Sequence, residues 1–512
     1  IDFEKKGDAW EGKISIPMQN AKDIPLANIT VEGVNVAFDM PGVPGDPKFS
    51  GEFSEDGEKI SGEFTQGGVT ATFKLERKED RGPAAREALE GFEEFIDQAL
   101  RDWETPGLAI GIVLDDEVIY ARGFGLRDIE KELPVTPETL FAIGSCTKAF
   151  TTFVLGMLVD EGKLDLDKPV GDYLPGFRLY DEHAGTHLTP RDLVTHRSGL
   201  PRHDLAWYNS DFDRATLVER LPYYQPNKDL RETWQYNNMM FLTAGYLAGQ
   251  LAGGTWEQAV RERIFDPLGM TQSNFSVDDS QKAPDFALPY EEKDDEIRKM
   301  AFRNIDNVGP AGSINSNIED MTKWMMVHLN KGKLGGKEII NKATLTDMHT
   351  PHMAIAAIPE EKEFSPASYG LGWMVDTYRG HYRVHHGGNI DGFSALVTLF
   401  PRDGLGIVTF ANKNAAAMPK LATIHAADRV LGLEYKDWNG EALEKWKLGK
   451  QARKEAEEKK ETLRKPGTKP AHALEEYAGE YEHPGYGLLK IELKYEQLVM
   501  VVNNIVTPLV HW

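Results

Sequence analysis

Strand patterns at both ends of one long segment constrain the fold of this chain more than any other feature of its sequence. Residues 106–124 form a hairpin pattern, in which two apolar-rich runs are joined through three acidic residues. Mixed helical and loop sequence follows at about residues 139–347. Four further strand patterns then cover residues 370–376, 381–386, 394–400 and 404–411. One sheet is therefore predicted to be assembled from the two ends of the segment.

Helical patterns flank these strands. Apolar residues recur at helical spacing in residues 84–103, before the hairpin, and in residues 415–431, after the last strand. The apolar face of the first pattern consists of Leu89, Phe92, Phe95, Ile96, Leu100 and Trp103. These patterns predict a sheet that is covered by helices.

Composition changes along the chain predict its domains. Residues 1–80 carry short, partly alternating apolar runs separated by Gly, Pro, Asp and Asn clusters, which are typical of a small β domain. The helical pattern that follows opens a main domain, which covers residues 85–435.

Two further regions follow the main domain. Residues 436–470 are rich in charge and poor in apolar residues, so they predict a solvated helical linker. Residues 471–512 predict strands with a hairpin turn at Asn503 and Asn504. About forty residues make a poor independent β domain. This segment is therefore expected either to pair with another part of the protein or to be an incomplete module.

The charge balance limits the possible partners. The chain has 58 Lys and Arg against 81 Asp and Glu, a formal net charge of −23, which would be repelled by nucleic acid and by anionic membranes. No stretch approaches the roughly 20 apolar residues of a membrane span, and residues 1–20 lack a signal-peptide pattern, although the chain begins at Ile1. The single cysteine, Cys146, excludes an intrachain disulfide and a Cys-rich zinc site.

The first candidate catalytic motif is Ser145-Cys146-Thr147-Lys148. The apolar-faced helix predicted after Gly144 places the Ser145 hydroxyl at a helix N-terminus, where unpaired N–H groups favour developing negative charge. Lys148 projects from the same face, and a desolvated amine could accept the proton of the serine. Alone, this pattern is equally typical of an ordinary N-cap beside a surface lysine.

A second motif is Tyr236-Asn237-Asn238. On a bent loop, Tyr236 and Asn238 could both enter one cleft, where the phenol exchanges protons with Ser145 if its surroundings stabilise the phenolate. Asn238 could hydrogen-bond a substrate amide. A buried aromatic turn is the structural alternative.

The third motif, residues 385–389, contains His386, Gly387, Gly388 and Asn389 at a strand end. Its glycines would let the backbone approach a substrate, His386 would line the pocket, and the N–H groups of Asn389 and Ser145 could form an oxyanion hole. The alternatives are a simple turn, or metal binding by three histidines. Metal is disfavoured because strand geometry separates these histidines and no acidic ligand accompanies them.

Together and in this order, the three motifs resemble the serine β-lactamase and penicillin-binding-protein-like superfamily, especially its class C β-lactamase, esterase and D-aminopeptidase-like branch. The stretches 193–201, 267–271, 310–313 and 369–373 also fit. The resemblance covers roughly residues 85–435 and implies an α/β (α+β) fold: an antiparallel sheet flanked by helices, an all-helical subdomain, and small β segments at both ends. The last β segment resembles the start of an incomplete lipocalin-like module.

The same resemblance implies the roles of the site residues. Ser145 would be the acylated nucleophile, Lys148 and Tyr236 would handle protons, Asn238 would contact substrate, and residues 386–388 would replace the Lys-Thr-Gly strand motif of the family. The stretch 195–201 resembles a structural signature, so His196 is not assigned to catalysis. No metal or other cofactor is expected.

The histidine in place of lysine affects the expected substrate. A histidine is mostly neutral at pH 7, so it offers no permanent cation for the carboxylate of a penicillin or a D-Ala-D-Ala peptide. An esterase or a D-amino-acid peptidase or amidase is therefore expected, with a β-lactamase or D-Ala-D-Ala carboxypeptidase as the alternative. The resemblance further implies a small-molecule or peptide substrate and a location outside the cytoplasm; the oligomeric state stays open.

Two other readings compete with the serine hydrolase. Cys146 could be the nucleophile, since a thiol in the first turn of a helix can have a lowered pKa, although no Cys-His pair is evident. A non-catalytic binding protein could retain the fold, although such a protein has no need for Ser145, Lys148 and Tyr236 together. An α/β-hydrolase is disfavoured because no G-x-S-x-G elbow occurs.

Overall fold

A computed structural model describes residues 2–7, 9–16, 21–76, 80–465 and 467–511. Two compact units divide the chain: residues 1–83 with residues 335–337, and residues 84–334 with residues 338–512.

The first unit is built from eight antiparallel strands in two sheets. A three-stranded sheet has the order β1-β2-β3 and a five-stranded sheet the order β4-β5-β6-β7-β8, where the strands are β1 (Asp2–Lys6), β2 (Ala9–Ile16), β3 (Ala21–Pro25), β4 (Ala27–Glu32), β5 (Asn35–Asp39), β6 (Lys48–Phe53), β7 (Lys59–Gln66) and β8 (Val69–Glu76). Phe38 is buried and stacks on Phe49 with ring centroids 4.5 Å apart, so aromatic packing forms the core of this unit.

The region predicted as one helix forms two, α1 (Gly82–Ala88) and α2 (Phe92–Asp102). Gly91 separates them with a φ of +77°, a left-handed conformation that suits glycine and interrupts a helix. Phe92, Ile96 and Leu100 are buried on one face of α2, as their spacing predicts. The predicted hairpin follows as β9 (Gly107–Leu114) and β10 (Glu117–Asp128), with a short β11 (Leu133–Pro134).

The middle of the chain is largely helical. Its elements are β12 (Phe141–Ala142), α3 (Thr147–Asp160), α4 (Glu182–His187), α5 (Pro190–Val194), α6 (Arg214–Glu219), α7 (Asn238–Ala252), α8 (Trp256–Val260), α9 (Asp266–Leu268), α10 (Val277–Ser280), β13 (Tyr290–Lys293), β14 (Glu296–Lys299), β15 (Asn315–Ser316), α11 (Ile318–Leu329), β16 (Lys333–Leu334), β17 (Lys337–Glu338) and α12 (Lys342–Met348). Short 3₁₀ turns occur at Gly144–Cys146, Val170–Asp172, Asp204–Ala206, Leu221–Tyr223 and Asp306–Ala311, and a π turn at Arg261–Phe265. Helices α3 and α7 are apolar on nearly every face, which is why they are buried and pack against each other.

The remaining strands of the large sheet follow as β18 (Met353–Ala354), β19 (Ser368–Tyr369), β20 (Met374–Tyr378), β21 (His381–Ile390), β22 (Phe393–Phe400) and β23 (Leu405–Ala411). All nine strands pair antiparallel in the order β11-β10-β9-β23-β22-β21-β20-β19-β18. Pairing of β9 with β23 joins the two ends of the domain, as predicted. Residues 370–373 are not a strand, because Gly372 turns the chain with a φ of +76°. Helix α13 (Met418–Val430) then covers the sheet, and the expected α/β (α+β) fold is confirmed.

The C-terminal part contains a long helix and a four-stranded sheet. Helix α14 (Trp438–Leu463) buries Trp438 at its start and is exposed from residue 451 onward. After α15 (Leu474–Tyr477), the sheet has the order β24 (Gly479–His483), β25 (Gly487–Lys494), β26 (Gln497–Val502) and β27 (Ile505–Pro508). No helix among the described residues is both long enough and apolar enough to span a bilayer.

Two buried histidines lie in contact in the helical region. Nδ1 of His328 is 3.0 Å from Nε2 of His349, and Trp324 and Trp373 pack around them. Burial lowers the pKa of His349 to about 4, because no solvent is available to stabilise the imidazolium. The pKa of His328 is lowered for the same reason, with a further contribution from His349.

This pair predicts that the protein loses stability in acid. Between pH 6.5 and 4 the unfolded chain protonates His349 while the folded chain does not, so the free energy of unfolding falls as the pH falls. For His349 the loss is about 3 kcal/mol, given a shift of its pKa from 6.5 to about 4. Urea unfolding at a series of pH values measures it. The variant His349→Gln should flatten the slope, whereas the exposed-site variant His472→Gln should not, and equal slopes in all three proteins would contradict the prediction.

Candidate active site

Ser145 lies in the 3₁₀ turn that leads directly into α3. Gly144 has a φ of +50°, and a Cβ there would come within 2.9 Å of the backbone N of Asn389. Only glycine therefore allows the turn to approach β21 this closely. Ser145 is partly exposed on the wall of a cavity, in contrast to Cys146, which is buried.

The side chain of Lys148 is fully buried beside Ser145. Its Nζ lies 3.0 Å from Ser145 Oγ, 2.9 Å from Asn238 Oδ1 and 2.7 Å from the carbonyl oxygen of Ala311. Burial lowers the pKa of the amine well below its usual value, and the positive charge of Arg202 lowers it further. The environment therefore favours a neutral amine.

Tyr236 contacts the serine from the other side. Its Oη donates a hydrogen bond of 2.7 Å to Ser145 Oγ, and its ring lies 4.8 Å from the Nζ of Lys148. Burial raises the pKa of the phenol well above 10, although the hydrogen bond to Ser145 opposes this shift. Tyr236 is therefore a protonated phenol at neutral pH.

His196 holds the segment that carries this tyrosine. Its carbonyl accepts a hydrogen bond from the N–H of Gln235, its Nδ1 accepts one from the N–H of Asn237, and its ring packs 4.3 Å from that of Tyr236. Burial lowers the pKa of His196 well below 6.5. The residue fixes the position of Tyr236 and does not contact Ser145 in any hydrogen bond that the structure contains.

Asn238 connects the cluster formed by Ser145, Lys148 and Tyr236 to the loop after α5. Besides the contact of its Oδ1 with Lys148, its Nδ2 donates a 3.1 Å hydrogen bond to Asp204 Oδ1. The other oxygen of Asp204 accepts a 2.5 Å bond from Arg202 Nε, and the Arg202 guanidinium lies 5.0 Å from the ring of Tyr236. Sequence reasoning missed Arg202 and Asp204, because they follow no recognisable motif and lie in a loop.

The cavity beside Ser145 has a volume of about 210 Å³. Its lining residues are Gly144, Ser145, Arg202, Asp204, Trp207, Tyr208, Asn238, Ile305, Val308, Ala311, Gly312, Asn389, Ile390 and Asp391. Asp204, Trp207 and Tyr208 on this wall belong to the loop after α5. Asp391 accepts hydrogen bonds from Tyr208 and Arg303, so its charge is already paired.

His386 has a different position from the one expected, because it does not line this cavity. It is buried under Tyr369, whose Oη lies 2.9 Å from Nε2, while Nδ1 lies 2.7 Å from the carbonyl oxygen of Gly387. These contacts fit a neutral ring that donates from Nδ1 and accepts at Nε2. Burial lowers the pKa of His386 to about 3.

The glycines of β21 also lie outside the cavity wall, and they differ from each other. A Cβ on Gly388 would come within 1.9 Å of the carbonyl oxygen of Ile143, whereas a Cβ on Gly387 would have its nearest neighbour at 3.7 Å. Gly388 thus allows β21 to contact the turn that carries Ser145.

The register of β21 determines the direction of the Asn389 N–H. The two-residue turn at Asp391 and Gly392 makes Ile390 and Phe393 the hydrogen-bonded pair, so the N–H of Asn389 points away from β22. On the other side of β21, the pairing with β20 ends at His385. The turn at residues 144–146 contacts β21 on this side, after His385. The N–H of Asn389 therefore points toward Gly144 and Ser145.

The three histidines considered as metal ligands do not converge. His381 contacts Asp403, His385 is 3.4 Å from Asp376, and His386 contacts Tyr369. Among the residues that the structure describes, no group of three or more His, Cys, Asp or Glu side chains is arranged to hold a metal ion.

Comparison with known proteins identifies the family. Residues 92–431, more than half of the chain, match the model of the beta-lactamase family. The chain belongs to the beta-lactamase family. Residues 463–512 match a domain of unknown function, DUF3471.

Individual relatives support the assignment to the beta-lactamase family. The unguisins hydrolase ungD′ of Aspergillus campestris is 31% identical over 424 residues, which cover 78% of this chain and 77% of that protein. The octameric penicillin-binding protein homologue from Pyrococcus abyssi has a TM-score of 0.62 at 21% identity, covering 82% of this chain and 89% of the other. D-amino acid amidase from Ochrobactrum anthropi has a TM-score of 0.56 at 21% identity, covering 68% and 98%. The chain is therefore a hydrolase with the β-lactamase fold.

The two glycines of β21 give a matched test of the site geometry. Gly388→Ala should displace the turn that carries Ser145 and lower kcat/KM at least tenfold, because its methyl group would overlap the carbonyl oxygen of Ile143. Gly387→Ala should retain activity within about threefold, because its methyl group would make only ordinary contacts. Ester hydrolysis and melting temperature measure both effects. Equal behaviour of the two variants would contradict this geometry.

Proposed function

We propose that this protein is a serine hydrolase that cleaves ester or amide bonds, including peptide bonds, through an acyl-enzyme on Ser145. One observation carries the proposal: Ser145 Oγ lies on a cavity wall, 3.0 Å from Lys148 Nζ and 2.7 Å from Tyr236 Oη. A hydroxyl in contact with an amine and a phenol has both a proton acceptor and a proton donor within reach.

The surroundings of Lys148 support its role as the base. A neutral amine has two protons and one lone pair. Asn238 Oδ1 and the carbonyl of Ala311 accept the two protons, so the lone pair is left for the third neighbour, Ser145 Oγ. In acylation, the Oγ–H proton moves to Lys148 as Oγ bonds to the substrate carbonyl carbon.

Tyr236 is proposed to act as an acid and not as a phenolate. Its raised pKa keeps the proton on Oη, from where it passes to the departing alcohol or amine as the bond to the carbonyl carbon breaks. Lys148 then passes the proton that it took from Ser145 to the phenolate oxygen of Tyr236, which restores the phenol and the neutral amine. In the second half of the reaction a water molecule attacks the acyl carbon. As the bond between that carbon and Oγ breaks, one proton of the water passes to Oγ and the acid leaves.

Backbone N–H groups are proposed to stabilise the oxyanion. The N–H of Ser145 lies at the turn before α3, and the register of β21 points the N–H of Asn389 to the same place. Two fixed donors at a developing negative charge lower the barrier without reorganisation.

Neutral His386 favours esters, D-amino-acid amides or D-peptides as substrates, since it supplies no permanent cation. The name of the Aspergillus relative, a hydrolase, agrees with this class of reaction. A β-lactamase or D-Ala-D-Ala carboxypeptidase is the second candidate, because Arg202 supplies a partly exposed cation on the cavity wall. We propose a location outside the cytoplasm.

Replacement of Ser145 and Cys146 in turn tests the nucleophile. Ser145→Ala should abolish both hydrolysis of p-nitrophenyl esters and labelling by a fluorophosphonate, whereas Cys146→Ala should retain both. Burial raises the pKa of the Cys146 thiol to about 12, so it is not a thiolate at neutral pH. A panel of short-chain esters, D-amino-acid amides, D-Ala-D-Ala peptides and nitrocefin identifies the substrate class. Unchanged turnover by Ser145→Ala would refute the proposal, and no labelling of the wild-type protein would favour a binding protein.

The state of Lys148 predicts the acid limb of the pH profile. The amine accepts a proton only when it is neutral, so kcat/KM should fall as the pH drops through its lowered pKa. Lys148→Arg should lose at least a hundredfold in kcat/KM at every pH, because guanidinium stays protonated. Stopped-flow or steady-state ester hydrolysis from pH 4 to 10 measures the profile. A Lys148→Arg variant that retained the wild-type profile would exclude Lys148 as the base.

A further inference from the structure

Two turns at the same end of the C-terminal sheet contact the loop that lines the cavity. Successive hairpins reverse direction, so the turn between β24 and β25 and the turn at Asn503 and Asn504 lie at one end of the sheet. The turn at Tyr495 and Glu496 lies at the opposite end. The loop consists of residues 202–212, which include Asp204, Trp207 and Tyr208 on the cavity wall.

Asn503 and Asn504 donate side-chain hydrogen bonds to this loop. Asn503 Nδ2 bonds to the carbonyl oxygens of Leu205 and Tyr208, the latter at 3.4 Å. Asn504 Nδ2 bonds to Asp211 Oδ1 at 3.0 Å and also to the carbonyl oxygen of residue 209, at 3.3 Å. The amides thus satisfy backbone acceptors on both sides of Trp207.

The second turn contacts the beginning of the loop and the helical region next to it. Tyr486 Oη lies 2.6 Å from Nδ1 of His203, and the carbonyl of Gly485 accepts a 2.7 Å hydrogen bond from Tyr224 Oη and a 3.2 Å bond from Arg220. A Cβ on Gly485 would lie 2.7 Å from the Tyr224 ring, so a residue larger than glycine would clash with this ring.

The conformation of the loop is not one that its own sequence favours. His203 and Asn209 have φ values of +48° and +57°, and such left-handed residues persist only where surrounding contacts hold them. Within residues 202–212 the backbone forms short turn hydrogen bonds around Asp204 and Trp207, and the side chains of Arg202 and Trp207 both donate to Asp204. Asn307 and Arg303 also bond to the loop from outside, at Trp207 and Asn209. Contacts from outside therefore matter for its shape.

We propose that the C-terminal sheet is a positioning element of the substrate pocket, which holds residues 202–212 through Asn503 and Asn504 and so determines substrate affinity. The sheet thereby positions Asp204, which contacts Asn238, and also the cavity residues Trp207 and Tyr208. The kinetic part of this inference rests on the proposed serine hydrolase; the structural part does not.

The test compares two acidic turns in the full chain. Replacing both asparagines, Asn503→Asp with Asn504→Asp, removes the amide donors while keeping side-chain size and the tolerance for positive φ. The control is Tyr495→Asp, in the turn at the opposite end of the sheet. Together with Glu496 this substitution also gives that turn two acidic residues, and the Tyr495 side chain is fully exposed. Hydrogen exchange of a peptide spanning residues 203–212, and kcat and KM for a p-nitrophenyl ester, are measured for each protein.

The double variant should exchange faster in residues 203–212 and raise KM at least about fivefold, the change expected from the loss of even one ordinary hydrogen bond. Its kcat and its rate of fluorophosphonate labelling should stay within about twofold, since Ser145, Lys148 and Tyr236 are untouched. The control should match the wild type.

Three results would overturn the inference: unchanged exchange, faster exchange with unchanged KM, or the same changes in the control. If fluorophosphonate does not label the wild-type protein, the proposed hydrolase fails, and the exchange of residues 203–212 alone then decides whether the sheet holds the loop.

Discussion

A lysine amine without solvent contact sets the geometry of the site. Burial of a charged ammonium is costly, so Lys148 is stable there only as a hydrogen-bonded and preferentially neutral amine. Its three oxygen partners come from three different elements: the turn before α3, the start of α7 and the 3₁₀ turn at Asp306–Ala311. One nitrogen therefore connects the segments that form the cavity, and the same burial that requires these contacts lowers the pKa of the amine, as the proposed role of a base requires.

The two central helices supply the burial. Because α3 and α7 are apolar around nearly their whole circumference, they lie inside the helical region, with Lys148 and Asn238 in their first turns. The sequence analysis predicts the helix after Ser145 from its apolar pattern, but it does not predict the helix after Tyr236. The mutual approach of their N-termini does not follow from the sequence, because it depends on packing such as that of Gly245, where a Cβ would come within 2.2 Å of Pro310. Sequence motifs predicted which residues meet, and packing determines how.

The strand motif shows where prediction from the sequence fails. Alternation along β21 predicts that residues 386 and 388 share a face, which the structure shows. It does not reveal that Tyr369 covers His386, nor that Gly388, unlike Gly387, packs closely against the turn that carries Ser145. Arg202 and Asp204 are a similar case, because a loop residue acquires its role from long-range contacts, here with Asn238 and Tyr236. The sequence contains no local signal for either.

Desolvation explains why Lys148 and Tyr236 both favour their neutral forms. Arg202 lowers the pKa of Lys148 and opposes the rise in the pKa of Tyr236, while Asp204 has the reverse effect on each. Since the two are joined by a hydrogen bond, their fields on the cluster largely cancel, and desolvation dominates both shifts. Their position on the cavity wall leaves them in contact with whatever enters it. A substrate carrying a carboxylate would compete for Arg202 and leave Asp204 less screened, which would raise the pKa of Lys148 and weaken it as a base in the bound state. Neutral esters and amides would avoid this change, so the arrangement of charges supports the proposal that they are the substrates, independently of His386.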